Sequence, residues 1–232
     1  MDWWIDFAKG PLFALTFLIM ILGLSRHFIL QVYYLFLAKG ARLKNVPWKS
    51  MFKDMATWIF PVNHLIKGTV IFSIVSFLFH VGAIIVSVLL IDHIVLWEDL
   101  IGLSLPAIGR GIADYLTLFT IFCILVLLVY RIVVGRIRAM STKRDYIILI
   151  LVLLPFLFGY LAGHPGVNPF SWQMAFLLHL LSAELLFVVI PFTKLSHIVL
   201  YFFDRLSPLH WQLKPGAGDK VAAALFGKEA KV

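Results

Sequence analysis

The chain is expected to fold as an all-α, polytopic membrane protein with five transmembrane helices, and three observations carry that expectation. Of its 232 residues 62% are hydrophobic and 14% charged, and its mean hydropathy is +0.97, whereas soluble domains average roughly 45–50% apolar and 25% charged residues. Five apolar runs each reach the roughly 20 residues that cross a hydrocarbon core of about 30 Å at about 1.5 Å rise per residue. The basic residues gather between those runs on one side. A water-soluble fold is excluded.

The spans are read at 11–38, 68–95, 113–135, 145–163 and 172–203, so that 1–206 forms a transmembrane domain and 207–232 a cytoplasmic tail. Asp2 and Asp6 precede the first run with only Lys9, and no small-residue cleavage site follows it, so it reads as a retained helix and not a signal peptide. Lys39, Arg42, Lys44, Lys49, Lys53 and Lys67 lie between spans one and two; Arg131, Arg136, Arg138, Lys143 and Arg144 lie between three and four. With Lys194, Arg205 and the four basic residues of the tail, seventeen of twenty fall on one side, which places the N-terminus outside and the C-terminus in the cytoplasm. Such a basic face suits anionic lipid and a docking subunit; nucleic acid is not an implied partner. The single cysteine, Cys123, lies in an apolar run, so the chain has no disulfide framework or CxxC motif, and any iron–sulfur cluster belongs to another subunit. Pro208, Pro215 and Gly216 followed by an amphipathic Lys220–Phe226 stretch describe a partly ordered tail.

Eight histidines are the informative residues. His64, His164 and His210 fall at boundaries or in turns and read as solvated imidazoles; His27 follows Arg26 in the middle of span one. Two spans carry pairs: His80 and His93 on the second, His179 and His197 on the fifth. Ionisable residues at membrane depth mark functional sites, and two helices with two histidines each can hold two haems, each iron taking one imidazole from each helix. The separation of 18 on span five is five whole turns, about 27 Å on one face of an ideal helix. The separation of 13 on span two turns the helix by about 220°, so distortion is needed there. Pro191 must kink span five, and His93 is placed past the last regular turn of span two. Spacing alone leaves two pairings open: His93 with His179 and His80 with His197, or His80 with His179 and His64 with His197.

At these residues the sequence resembles the membrane cytochrome b (gamma) subunit of respiratory nitrate reductase. The matching stretches are LFHVG at Leu78–Gly82, STKRDYIILI at Ser141–Ile150, and HLLSAELLFVVIPFTKLSH from His179 to His197. One feature departs from that subunit, whose second histidine on this helix comes ten residues after the first, where this chain has Leu90. His93, followed by Leu96-Trp97, Gly102–Pro106 and Gly111–Leu118, is more similar to the branch found in the Dsr and high-molecular-weight cytochrome (Hmc) redox complexes of sulfate reducers and sulfur oxidisers. The resemblance implies two haems b in a prokaryotic cytoplasmic membrane, with His80 and His197 on the inner haem and His93 and His179 on the outer. It also implies a cytoplasmic iron–sulfur partner, either a nitrate reductase beta subunit or a heterodisulfide-reductase-like protein. A periplasmic multihaem cytochrome c and further membrane subunits accompany the second branch.

Bis-histidine ligation leaves no open iron position, so the expected activity is electron transfer between a quinone pool, such as menaquinone, or a periplasmic cytochrome and the iron–sulfur partner. Such a subunit is not a complete enzyme. Haem propionates call for a cation, for which Arg26 is the first candidate and pairing with Glu184 its alternative role. A quinone site needs hydrogen-bonding and protonatable groups beside the outer haem, and Asp92, Arg110 and Asp114 are the candidates. The competing readings are a membrane anchor with one haem or none, and a small transporter.

Overall fold

The computed structural model describes residues 1–37, 46–59, 70–198, 200–201 and 216–227, and these form helices with one isolated bridge. Five helical stretches are long and apolar enough to cross a membrane: Asp2–Tyr34, Val70–Leu89, Arg110–Val133, Lys143–Gly163 and Trp172–Phe192. No more than 28% of the apolar window of any of them is buried. Their outward faces carry side chains such as Phe122, Val129, Ile147 and Leu185, a surface that suits hydrocarbon and not water.

In chain order the elements are α1 (Asp2–Phe7), a π turn (Ala8–Leu12), α2 (Phe13–Leu37), α3 (Trp48–Ile59), α4 (Val70–Leu89), α5 (Ile91–Ile101), α6 (Arg110–Val133), α7 (Gly135–Met140), α8 (Lys143–Gly163) and α9 (Trp172–Val189). Two 3₁₀ turns, Ile190–Phe192 and Lys194–Ser196, and α10 (Ala217–Phe226) complete them. The chain divides into two compact units, Met1–Phe13 with Ala56–Leu186, and Ala14–Met55 with Phe187–Val232.

Three expectations are corrected. The first helix starts at Asp2, not at residue 11, because the π turn absorbs Pro11, which has no N–H for a regular ladder. The second span is not one helix over 68–95: it stops at Leu89, and Leu90 takes an extended conformation (φ −59°, ψ 133°) before α5 begins. The fifth is not continuous over 172–203, for Pro191 turns the chain into 3₁₀ geometry and Thr193 is fully extended. The five-turn spacing of His179 and His197 on one face therefore does not apply. A short helix the sequence reading missed, α3, sets Trp48, Phe52 and Met55 at helical spacing among lysines, as an interfacial helix does.

In the first unit α6 is the central helix, packed on α4 and α8. Its buried residues, Ala113, Thr117, Thr120, Cys123, Ile124 and Leu127, recur at three- and four-residue steps and make one face. Gly82 of α4 lies directly against Thr120, whose hydroxyl occupies the place a β-carbon would take. The Ser141–Ile150 stretch opens α8 with a capping box: the Thr142 N–H and hydroxyl donate to the Asp145 carboxylate at 2.7 and 2.8 Å. Arg131 of α6 donates to the Ser141 hydroxyl at 2.8 Å and lies 5.4 Å from the Phe72 ring of α4, while the Tyr146 hydroxyl donates to the Arg131 carbonyl.

The break at Leu90 is closed by the following loop. Ile91 N–H donates to the Ile108 carbonyl at 3.3 Å and Ile108 N–H to the Leu89 carbonyl at 2.8 Å, so groups freed by the end of α4 are satisfied. Gly102, with φ +68°, ends α5 in the left-handed conformation and lets the loop return. Arg110 then clasps Asp92 through both guanidinium arms, at 3.0 and 2.6 Å. The guanidinium hydrogen bond holds the Asp92 carboxyl below the ordinary carboxylate range. Its contribution is complete above an ordinary carboxylate pKa of about 3.9 and is lost as pH falls through the lower folded value.

In the second unit Gly23 of α2 meets Pro191, whose ring would lie 2.5 Å from a β-carbon at residue 23. His27 donates through Nε2 to the Pro191 carbonyl at 2.9 Å, and Phe17 meets Phe187 edge-on. The Tyr201 hydroxyl donates to the Met55 carbonyl at 3.2 Å.

Two outcomes are expected. Gly82→Val should lower unfolding stability in detergent by about 1–3 kcal/mol through overpacking against Thr120, and Thr120→Ala in the same chain should recover part of the loss. Asp92→Asn should speed amide hydrogen exchange at Ile91 and Ile108 at pH 7, with the difference from the wild type vanishing in strong acid, where the native carboxylate is also neutralised.

Candidate functional site

His93 stands on the first turn of α5, immediately beyond the break, and its ring turns back on the end of α4. Its Nδ1–H donates to the carbonyls of Ser87 at 3.0 Å and Val86 at 3.2 Å in the last turn of α4, the latter also accepting the Leu90 N–H at 3.3 Å. Burial pushes this imidazole below the ordinary histidine range, while the two carbonyls and Asp92 act in the opposite direction. With Nδ1 donating, the neutral ring carries its lone pair on Nε2.

His179 reaches the same place from α9. Its Nδ1–H donates to the Pro155 carbonyl of α8 at 2.8 Å. Gly159, one turn along α8, provides the room: a β-carbon there would lie 2.9 Å from Nδ1 and 3.0 Å from Cε1 of the ring. The His93 and His179 rings are parallel to within 1°, with centroids 6.1 Å apart. A metal–imidazole bond of about 2.0 Å places a ring centroid about 3 Å from the metal, so two imidazoles on opposite sides of one metal have centroids about 6 Å apart. The pair has that separation. Both Nδ1 atoms are tied to carbonyls, the arrangement that fixes a ligating histidine's tautomer and orientation.

His80 and His197 share the tautomer. His80 Nδ1–H donates to the Ser76 carbonyl at 2.6 Å, with Phe79 edge-on to its ring, and His197 Nδ1–H donates to the Lys194 carbonyl at 2.5 Å. His27 is bonded the other way, through Nε2, which separates it from the four candidate ligands. Among the described residues no group of three or more His, Cys, Asp or Glu gathers as a metal site. Pairs of histidines suit an iron whose remaining positions are filled by a macrocycle, and the residues present fit haem. His64, the member of the rival pairing, and His210 lie outside the described residues.

Arg26 lies nearer a span end than the middle. The adjacent His27 bonds to Pro191, and Pro191 is 19 residues beyond Trp172, about 28 Å along a helix axis. Arg26 lines an open depression of about 350 Å³ with Gly23, His27, Pro191, Thr193 and Ser196. No hydrogen bond or ion pair engages its guanidinium among the described residues. A cation with two hydroxyl-bearing neighbours, close in sequence to His197, fits a propionate. Both carboxylate oxygens of Glu184 are buried without a hydrogen-bond partner among the described residues.

The three quinone candidates are already engaged. Asp92 and Arg110 hold each other across the break. Asp114 of α6 lies 3.4 Å from His164 Nε2. His164 stacks on Tyr160 at 4.0 Å and donates through Nδ1 to the Tyr160 carbonyl. The sequence reading passed over His164 and Gly159, since both roles depend on neighbours distant in the chain.

No family model matches the chain, and no solved structure matches it. A protein of Nitratidesulfovibrio vulgaris (strain Hildenborough) is 32% identical over 208 residues, covering 86% of this chain and 89% of the relative. The aligned region takes in most of the chain, and at that identity and coverage the chain belongs to the same family as the Nitratidesulfovibrio vulgaris protein.

Proposed function

We propose that the chain is the membrane cytochrome b subunit of a prokaryotic respiratory redox complex, holding two haems b and carrying electrons between the faces of the cytoplasmic membrane. The observation that supports this best is the parallel His93 and His179 pair, each imidazole tied by Nδ1–H to a carbonyl and separated by the width of one metal centre. These two hold the outer haem in this reading, His80 and His197 serve the inner one, and Arg26 receives a propionate. The paired imidazoles would hold the iron of a haem, which would supply one-electron chemistry there.

The protein's own residues do the rest. Carbonyls of Val86, Ser87 and Pro155 set ring orientation and raise ligand basicity. The Asp92–Arg110 clasp keeps the break in span two closed, and with it the aim of His93. A quinone, menaquinone among them, is the proposed membrane donor or acceptor at the outer end, where Asp114 beside His164 offers a protonatable pair. With the basic end cytoplasmic, Arg136, Arg138 and Arg144 lie where an iron–sulfur subunit docks. A periplasmic multihaem cytochrome c is the alternative outer partner.

The purified chain should give two haems b in a pyridine haemochrome assay. His93→Ala and His179→Ala should each leave one, and Gly159→Val should lose the same haem by displacing the His179 ring. His197→Ala should lose the other. A colourless chain, or full haem content in all the histidine variants, contradicts the assignment.

A further inference from the structure

Glu184 is the deepest acid of the spans. It lies 12 residues beyond Trp172 on α9, about 18 Å along the helix axis, close to the midpoint of a hydrocarbon core of about 30 Å. It is 3% exposed, and neither carboxylate oxygen has a hydrogen-bond partner among the described residues. Within its own unit no charged or titratable side chain among those residues comes within ion-pair distance of it. The nearest titratable group on its own helix is His179, one and a half turns earlier, and Ser182 between them donates to the His179 carbonyl instead. An isolated carboxylate is very costly to bury without a partner, so this side chain is ionised only while a positive charge stands near it and is otherwise the neutral acid. A structural role would need a bond, and none is made.

We infer that Glu184 is a proton-binding site inside the membrane, which takes up one proton when an electron enters the neighbouring redox centre and releases it when the electron leaves. The inference rests on the electron-transfer reading above. The step balances: the electron comes from the donor, quinol or redox protein, the proton comes from water, and the O–H bond formed on the carboxylate offsets the negative charge brought into a low-dielectric core. Oxidation reverses both. A positive charge nearby favours the carboxylate and its removal favours the acid, so the two events are linked through space without a bond between them.

The test uses the haem-loaded full chain in lipid. A reduced-minus-oxidised infrared difference spectrum should contain a protonated carboxyl band that shifts in a chain with ¹³C-labelled glutamate and disappears in Glu184→Gln. The midpoint potential of one haem should fall with rising pH, by up to about 59 mV for each tenfold change in proton activity, and should become nearly flat in Glu184→Gln. If that variant fails to load haem, the labelled wild type decides: a difference spectrum with no glutamate carboxyl band overturns the inference. A two-haem chain whose spectrum and potentials are unchanged by Glu184→Gln overturns this inference alone, whereas a colourless chain overturns the electron-transfer reading with it.

Discussion

Inside a hydrocarbon layer every backbone carbonyl and amide that a helix fails to pair must be satisfied by the protein, and at its irregular points this chain uses loop backbone groups and histidine rings together. Where α4 stops at Leu89, the carbonyls of Val86 and Ser87 receive the His93 ring. Where Pro191 interrupts the fifth span, its carbonyl receives His27. Gly159 bares a third carbonyl, that of Pro155, to His179. A ring nitrogen that donates to a carbonyl leaves the other nitrogen of a neutral ring with its lone pair, so in the proposed haem site these bonds would prepare His93 and His179 as ligands. A regular helix through Leu90 would set His93 about 220° from His80; the break re-aims it toward α9.

The rest of the first unit keeps that geometry in place. The Thr142–Asp145 cap and the Arg131–Ser141 bond set where α8 begins relative to α6, and hence where Pro155 and Gly159 stand. Gly82 lets α4 approach α6 at Thr120. The Asp92–Arg110 clasp locks the first turn of α5 to the first turn of α6. Such rigidity suits the proposed redox centre, whose charge would change and whose shape would not.

What could be read from the sequence follows the range of the signals. The five spans were legible because apolar length is a property of contiguous residues, and the disruption at Pro191 because proline removes a donor wherever it stands. The break at Leu90 has no proline or glycine to announce it; its only trace was the awkward separation of His80 and His93. The α3 helix was obscured because Trp48, Phe52 and Met55 form a sparse stripe among lysines. Charge drew attention to Asp92 and Arg110, yet their partnership closes across an 18-residue loop that no local pattern specifies. Gly159 and His164 matter through contacts made only after folding, and the burial of Glu184 without a partner is likewise a tertiary fact.

The central claim is that one metal centre lies between two parallel imidazoles. Low-temperature electron paramagnetic resonance of the oxidised, purified chain tests it most directly, because ring orientation shapes the ferric signal. The account predicts low-spin ferric iron with a rhombic spectrum from a centre with parallel axial rings, in keeping with the 1° between His93 and His179. A spectrum without low-spin ferric iron, or one whose rhombic component persists when His179 is replaced, would contradict it.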